Sequence, residues 1–441
     1  MAVVAEVAVD PRRGRVFEHG WQSWSPATTY PVAGTSHRPT GPVLQTMCWR
    51  PDRPGPENGF QGEGLLAVDP GDDGPVRVFG ARKLQDDVPS IRAELHGDRL
   101  VVSTDQPEGV EDLILPATSL EGALAAWADG FAREMGVARL RPAPSVWCTW
   151  YSYFTKVSPA DVVENLEAIE RHDLPVEVIQ IDDGWQAGIG DWRTPGPGFD
   201  SLPDLVGRIR DTGRRAGIWV APFLVGADSR LVADHPDWLV PEADAGHNWD
   251  QRLYALDVTH PGVADHLIET FAQLRSWGID YVKLDFLYAG AMPGRRHTDV
   301  PALAAFRQGL DLIGDVVGPD TFVLGSGAPI LPSVGLVDAM RVSPDIDVRV
   351  DPAGGDMSRP SLEAAALSVE GRAWQHGRFW VNDPDCLLAR PAMPQRRRWA
   401  DLVDRWGGLR ASGDRILDLD AWGLDTTRRL LSTVPPPTPW I

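Results

Sequence analysis

Carboxylates recur in this sequence directly behind short apolar runs. Val176–Ile181 leads into Asp182-Asp183-Gly184-Trp185, Tyr281–Phe286 carries Lys283 and Asp285, Ala339–Val342 precedes Asp345 and Asp347, and Arg378–Val381 precedes Asp383 and Asp385. One aspartate in such a place most often caps the next helix. Their repetition behind four separate runs calls for another account. Lys283 and Asp285 are two apart in an extended run, so their side chains leave the same face. An ammonium beside a carboxylate favours the ionised form that a nucleophile needs. Asp345 and Asp347 also share a face, and Asp345, nearer its apolar run, is the better held of the two. A general acid must be protonated at rest, which neighbouring carboxylates and partial burial favour. Glycoside hydrolysis uses this set: one carboxylate as nucleophile or base, a second as proton donor, and others to grip hydroxyls.

Other chemistries lack their residues. A metal-dependent barrel hydrolase would place His-x-His in the first apolar run, which instead reads Trp147-Cys148-Thr149-Trp150. Histidines such as His235 fall near loops, and neither Gly-x-Ser-x-Gly nor a phosphate-binding loop occurs. Neither a metal nor a cofactor is expected.

The acids need a scaffold that turns strand ends into one site. From Ser145, apolar runs alternate with amphipathic helices: Val146–Trp150, Val176–Ile181, Gly217–Phe223, Tyr281–Phe286, Thr321–Gly325, Ala339–Val342, Arg378–Val381 and Gly408–Ala411. After the first run, Ser158 caps a helix, Pro159 takes its first position, and Val162, Leu166 and Ile169 form one stripe. A later helix has Val263, Leu267, Phe271 and Leu274 on a stripe and stops at Gly278. Eight such units over roughly 290 residues predict an α/β chain with a (β/α)8 TIM barrel, whose catalytic groups sit at the carboxyl ends of its strands. A doubly wound sheet is the alternative, but no Gly-x-Gly-x-x-Gly follows an early strand.

Residues 1–117 predict a smaller N-terminal β-sandwich-like domain, with strands at Arg15–His19, Val76–Gly80 and Ile91–Leu95 and a hairpin turn at His96-Gly97-Asp98. Thr118-x-x-Glu121 reads as a capping box opening a helix to about Gly136. Residues 118–144 are then a linker helix and linker, 145–432 the catalytic barrel, and 433–441 a proline-rich tail.

Composition narrows the partners. The 441 residues are 43% hydrophobic and 24% charged, as in ordinary globular chains. No apolar run approaches the ~18 residues of a membrane span, and the first residues lack a basic stretch followed by an apolar core. A formal net charge of −20 repels phosphate backbones and anionic lipid, so neither nucleic acid nor membrane is expected. Cys48, Cys148 and Cys386, odd in number and far apart, argue for a reducing cytoplasm. The 18 tryptophans supply flat faces suited to sugar rings or to a core.

Six motifs then carry a resemblance. Trp147-Cys-Thr-Trp-Tyr151, Ile181-Asp-Asp-Gly-Trp185, Ile189-Gly-Asp-Trp192, Gly217-Ile-Trp-Val-Ala-Pro222, His235-Pro-Asp-Trp238 and Tyr281-Val-Lys-Leu-Asp-Phe286 occur in this order. Together they resemble the melibiase family, the glycoside hydrolase family 36 α-galactosidases, over about residues 145–425. Gly20-Trp-Gln-Ser-Trp-Ser25 resembles part of that family's N-terminal β domain.

The resemblance implies a retaining exo-α-galactosidase acting on a small carbohydrate without a cofactor. It implies Asp285 as nucleophile, Asp345 as acid/base, Lys283 as a hydroxyl-binding lysine, and Asp182 and Asp183 on the axial 4-OH and the 6-OH. Trp185 and Trp192 would line the sugar subsite, with Arg252 and Arg341 as further contacts unless they form salt bridges at the rim. Ser326 and Gly327 would face the sugar, Ser326 toward its 2-substituent. From the N-terminal domain, Trp21 or Trp24 would reach the barrel mouth, Trp21 being the residue assigned to the site. Two departures fall on sugar-facing positions. Lys283-Leu-Asp-Phe-Leu287 replaces Lys-Trp-Asp-x-Asn, and Ser326 stands where many members have Cys. The alternatives are therefore a galactosyl transferase of the raffinose-synthase type, an α-N-acetylgalactosaminidase, or a non-catalytic carbohydrate-binding protein. A homo-oligomer is compatible with the chain.

Overall fold

In the computed structural model, residues 1–441 are described apart from 39–44, 73, 85, 116–118 and 242. Among the described residues, the first 115 form two antiparallel sheets. One has the strand order Ala2–Ala8, Arg99–Thr104, Ser90–His96, Phe60–Glu63; the other runs Thr28–Pro31, Arg15–Glu18, Leu65–Asp69, Val76–Ala81, Val110–Leu115. Alternation along the second sheet divides its side chains between two cores. Val16, Leu66, Val68 and Phe79 face the first sheet, whereas Phe17, Leu65, Ala67 and Val78 join the core shared with the rest of the chain. His96 pairs with Arg99 across Gly97-Asp98, the predicted tight turn.

The linker helix spans Leu120–Glu134 and packs on that outer face, with Trp127 stacked on Phe131. Its cap is Ser119, which accepts from Gly122 N at 3.1 Å. The capping box expected at Thr118 lies outside the described residues.

Eight parallel strands follow among the described residues: Ser145–Cys148, Val178–Ile181, Arg215–Val220, Ile279–Leu284, Phe322–Gly325, Ala339–Arg341, Val381–Asp383 and Arg410–Ser412. The first pairs with both the second and the eighth. Between seventh and eighth, Gly408 N and Leu409 N donate to Asn382 O at 3.0 and 2.9 Å, and Leu387 bridges Ser412. The sheet thereby closes into a barrel. The helix after the first strand, Pro159–Arg171, carries the expected cap: Ser158 and Asp161 bond reciprocally. The seventh strand starts three residues later than its apolar run, so Asp383 ends the strand instead of following it. No helix among the described residues is long and apolar enough to cross a membrane.

One loop joins the two regions. Ser23 N donates to Ala328 O, Ala328 N to Ser23 Oγ, and Ile330 N to Trp21 O, so residues 21–25 run beside the loop after the fifth barrel strand. Arg372, fully buried, clamps this contact by donating to Gln22 O, Ser23 O, Ser25 O and Val342 O at 2.8–2.9 Å. Burial pulls its pKa down to about 9.

Candidate active site

The carboxyl ends of the barrel strands open into a cleft of about 550 Å³. Asp182, Asp183, Lys283, Asp285 and Asp345 line it together. Strand parity sends Lys283 and Asp285 into it side by side. Lys283 Nζ lies 3.0 Å from Asp182 Oδ2 and 3.8 Å from Asp285 Oδ2. Burial works against its charge, but the two carboxylates outweigh that and raise its pKa well above the usual lysine value.

Asp285 is bound from two sides. Trp219 Nε1 donates to its Oδ2 at 3.0 Å and Phe286 N to its Oδ1 at 2.8 Å. The second bond depends on Phe286 taking a left-handed conformation with φ of +51°, unusual for a bulky side chain and common at functional sites. Asp182 accepts from Gln180 Nε2 at 2.6 Å and Asp183 N at 3.0 Å besides Lys283. Asp183 accepts from Gln186 Nε2 at 2.6 Å and Trp249 Nε1 at 2.7 Å; burial nevertheless raises its pKa. Gly184, at φ +118°, lets this turn approach the Thr155 backbone, where a Cβ would meet the carbonyl at 2.8 Å.

Asp345 stands across the cleft, its carboxyl set down in the wall with about a third of the side chain (35%) exposed. Arg341 Nη1 donates to its Oδ1 at 2.9 Å. Burial first, and then the charge of Asp385, push its pKa up to about 7 against the pull of Arg341. Asp347 is turned to the surface, where it pairs with Arg349 at 2.6 Å. Among the described residues, no group of three His, Cys, Asp or Glu is arranged to hold a metal ion.

Several expected contacts lie elsewhere. Trp185 and Trp192 are buried behind the wall: Trp185 Nε1 donates to Trp219 O, and Trp192 meets the Trp219 ring edge-on at 5.6 Å. The indole facing the cleft is Trp219, on the third strand within the Gly217-Ile-Trp219 motif. Trp21 is buried under the Arg50 guanidinium, 5.0 Å from its ring, and Trp24 is the residue that enters the cleft. Trp24 meets Phe286 edge-on at 5.1 Å. Gly327, at φ +54°, makes room for it, since a Cβ would lie 2.8 Å from the indole.

Ser326 is buried, and its Oγ has no hydrogen-bond partner among the described residues; Trp24 and Phe286 form the cleft wall at this point. Arg252 points outward over Tyr254, and Arg341 lies beneath the cleft in ion pairs with Asp345, Asp383 and Asp385. In place of Arg252, the wall carries His247, Asn248 and Trp249. Trp249 and Asp250, at φ +49° and +57°, form the two-residue turn between His247–Asn248 and Gln251–Ala255. Asn-Gly is the usual pair for such a turn, so Trp-Asp gave no turn signal. Trp150 and Phe154, edge to face at 5.1 Å, stand at the mouth; Phe154 is half-exposed at a strained φ of +48°.

Known proteins are similar to this chain in sequence and fold. The family model described as Melibiase matches residues 139–308. Among curated relatives, alpha-galactosidase 1 of Pediococcus pentosaceus is 27% identical over 172 residues, covering 36% of this chain and 23% of its own. The alpha-galactosidase of Escherichia coli is 28% identical over 177 residues, covering 37% and 25%. The matched stretch thus spans about a quarter of these relatives' length. The structure of TtGalA, an alpha-galactosidase from Thermus thermophilus in complex with p-nitrophenyl alpha-D-galactopyranoside, superposes with a TM-score of 0.83 at 31% identity. It covers 98% of this chain and 88% of that one. With that near-full-length match and the cleft built from the same motifs, the chain belongs to the melibiase family, the glycoside hydrolase family 36 α-galactosidases.

Proposed function

We propose that this protein is a retaining exo-α-galactosidase that removes terminal α-galactosyl residues from oligosaccharides or simple galactosides. The observation that carries the reading is the contrast between two carboxyls in one cleft. Asp285 sits among hydrogen-bond donors and beside Lys283, whereas Asp345 is raised to a pKa of about 7. Divergent environments for two acids are how one site holds a nucleophile and a proton donor together.

Asp285 attacks the anomeric carbon while Asp345 gives its proton to the glycosidic oxygen, forming a β-galactosyl ester and releasing the leaving group. Asp345, now ionised, takes a proton from water; the water attacks the same carbon, Asp285 leaves, and α-galactose is released. Asp182, Asp183 and Lys283 grip the sugar hydroxyls. Trp24, Trp219 and Trp249 enclose its apolar faces, and Trp150 and Phe154 offer aromatic surface to the leaving group. TtGalA has also been described in complex with stachyose, which supports an α-galactosyl oligosaccharide as substrate here. Three thiols without a disulfide among the described residues support a cytoplasmic enzyme.

A panel of aryl α-glycosides differing at C2 and C4 tests the proposal. Turnover of the α-galactoside above the α-glucoside and the α-N-acetylgalactosaminide is expected. Preference for either of the others would replace the substrate, and no turnover of any would leave a binding protein.

A further inference from the structure

Asp383-Pro384-Asp385 runs beside the segment that carries Asp345 and is tied to it at successive places. Val342 N donates to Asp383 O at 3.0 Å, Ser343 Oγ to Pro384 O at 3.2 Å, and Ile346 N to Asp385 Oδ2 at 2.9 Å. Asp385 is fully buried, and its φ of +94° is a strained conformation for a residue with a side chain. Strain of this kind persists only where surrounding contacts hold it.

Those contacts are donors on both carboxyl oxygens. Oδ2 accepts from the Tyr151 hydroxyl as well as Ile346 N; Oδ1 accepts from Cys386 N at 2.6 Å and lies 2.9 Å from Arg341 Nη2. Donors placed on both oxygens favour the ionised form, although burial works against it and raises the pKa of Asp385. Arg341 also reaches Asp383 through Nε at 3.1 Å and Asp345 through Nη1 at 2.9 Å. Paired with Asp345 alone, this guanidinium would hold the acid/base ionised and disable it as a proton donor. Two other carboxylates share it.

We infer that Asp385 is a positioning residue for the acid/base: it fixes the backbone beside Asp345 and, with Asp383, engages Arg341 so that Asp345 keeps its proton at rest. Arg341 faces Asp345 from its own segment, Lys283 and Asp285 from the end of the fourth strand, Asp385 from just past the seventh, and Tyr151 from the short helix Trp150–Tyr153 behind the first strand. Burial raises the pKa of both Asp345 and Asp385, but four donors on Asp385 against the Arg341 donor on Asp345 oppose protonation of Asp385 the more strongly.

The kinetic arm of the test rests on the proposed glycosidase activity; the spectroscopic arm does not. Replacing Asp385 by Asn removes a negative charge and leaves more of Arg341 to Asp345, whose carboxylate becomes easier to form. In Asp385→Asn, the alkaline limb of kcat/KM on melibiose should move down by about one pH unit. Loss of rate should be at least about tenfold greater for melibiose than for a dinitrophenyl α-galactoside, whose leaving group needs no proton. Tyr151→Phe keeps the charge but removes one donor from Asp385. It should show the same preferential loss on melibiose, so the inference can be judged even if Asp385→Asn does not fold. Independently of turnover, the ¹³Cγ resonance of Asp345 in aspartate-labelled protein, assigned with Asp345→Asn, should titrate about one unit lower in Asp385→Asn. An unmoved Asp345 titration, or equal losses on both substrates, would show that Asp385 only supports the fold.

Discussion

The two sides of the cleft are built from different interactions. On the barrel side, the carboxylates are organised by charge: Lys283 with Asp182 and Asp285, and Arg341 with Asp345, Asp383 and Asp385. On the N-terminal side, Trp24 is carried by a loop held through backbone hydrogen bonds to Ala328 and Ile330 and by carbonyls gathered on Arg372. Buried charges set which proton or electron pair moves, because their interactions are weakly screened. A neutral wall sets which sugar fits. Substitutions of the proposed catalytic acids Asp285 and Asp345 should therefore act on kcat, and those of Trp24 on KM.

The sharpest break of that comparison is Asp285→Ala. It should reduce turnover of every α-galactoside to background, while a 2-deoxy-2-fluoro-galactosyl donor labels the peptide containing Asp285 in the wild-type protein. A label on another carboxylate would move the nucleophile and with it the division between the two sides.

Asp345→Ala should cost about 10²–10⁴-fold on melibiose and far less on a dinitrophenyl galactoside. Azide should intercept its β-galactosyl ester and give α-galactosyl azide, since two inversions restore the starting configuration. β-Galactosyl azide would instead make Asp345 the nucleophile. In the wild type, the alkaline limb of kcat/KM should fall near pH 7, because the proposed proton donor Asp345, with its pKa raised to about 7, would be ionised above that pH.

These two acids were also the most legible part of the sequence. Apolar runs coincide with seven of the eight strands and meet the seventh only at Val381, the Ser158-Pro159 cap marks the helix after the first, and parity alone pairs Lys283 with Asp285. The aromatic wall was harder to read. Trp185 and Trp192 sit in recognisable motifs, yet the indole that meets the cleft is Trp219, because tertiary packing decides which of three adjoining rings faces outward. Trp21 and Trp24 are three apart in an irregular loop, where no period fixes direction; the path is set by Arg372, far along the chain. Trp249 reaches Asp183 from a turn with two positive φ values that Trp-Asp does not advertise.

The loop side separates Trp24 from Trp21. Trp24→Ala should raise KM about tenfold, equivalent to ~1.4 kcal/mol, with little change in melting temperature. Trp21→Ala should do the reverse, lowering stability by about 3–5 kcal/mol as for other buried aromatic truncations, with KM retained. The exchange of these outcomes would reverse the assignment of wall and core within one loop.

The smallest effect is expected at the seam between the two sides. Ser326 follows the fifth barrel strand just before the segment that pairs with Ser23, and its buried Oγ lacks a hydrogen-bond partner among the described residues. An unpaired buried hydroxyl costs desolvation without return, and removing it is neutral or mildly stabilising. Ser326→Ala should therefore leave KM for the α-galactoside within about twofold and shift stability by less than about 1 kcal/mol, upward if at all. A hydroxyl that bound the sugar's 2-OH would behave differently: its loss would raise KM for the galactoside while sparing the 2-deoxy analogue, because a site built to pair a hydroxyl discriminates through that pairing. Measuring both substrates on one variant thus decides whether specificity at C2 is read by the barrel loop or is left to the neutral wall of Trp24 and Phe286.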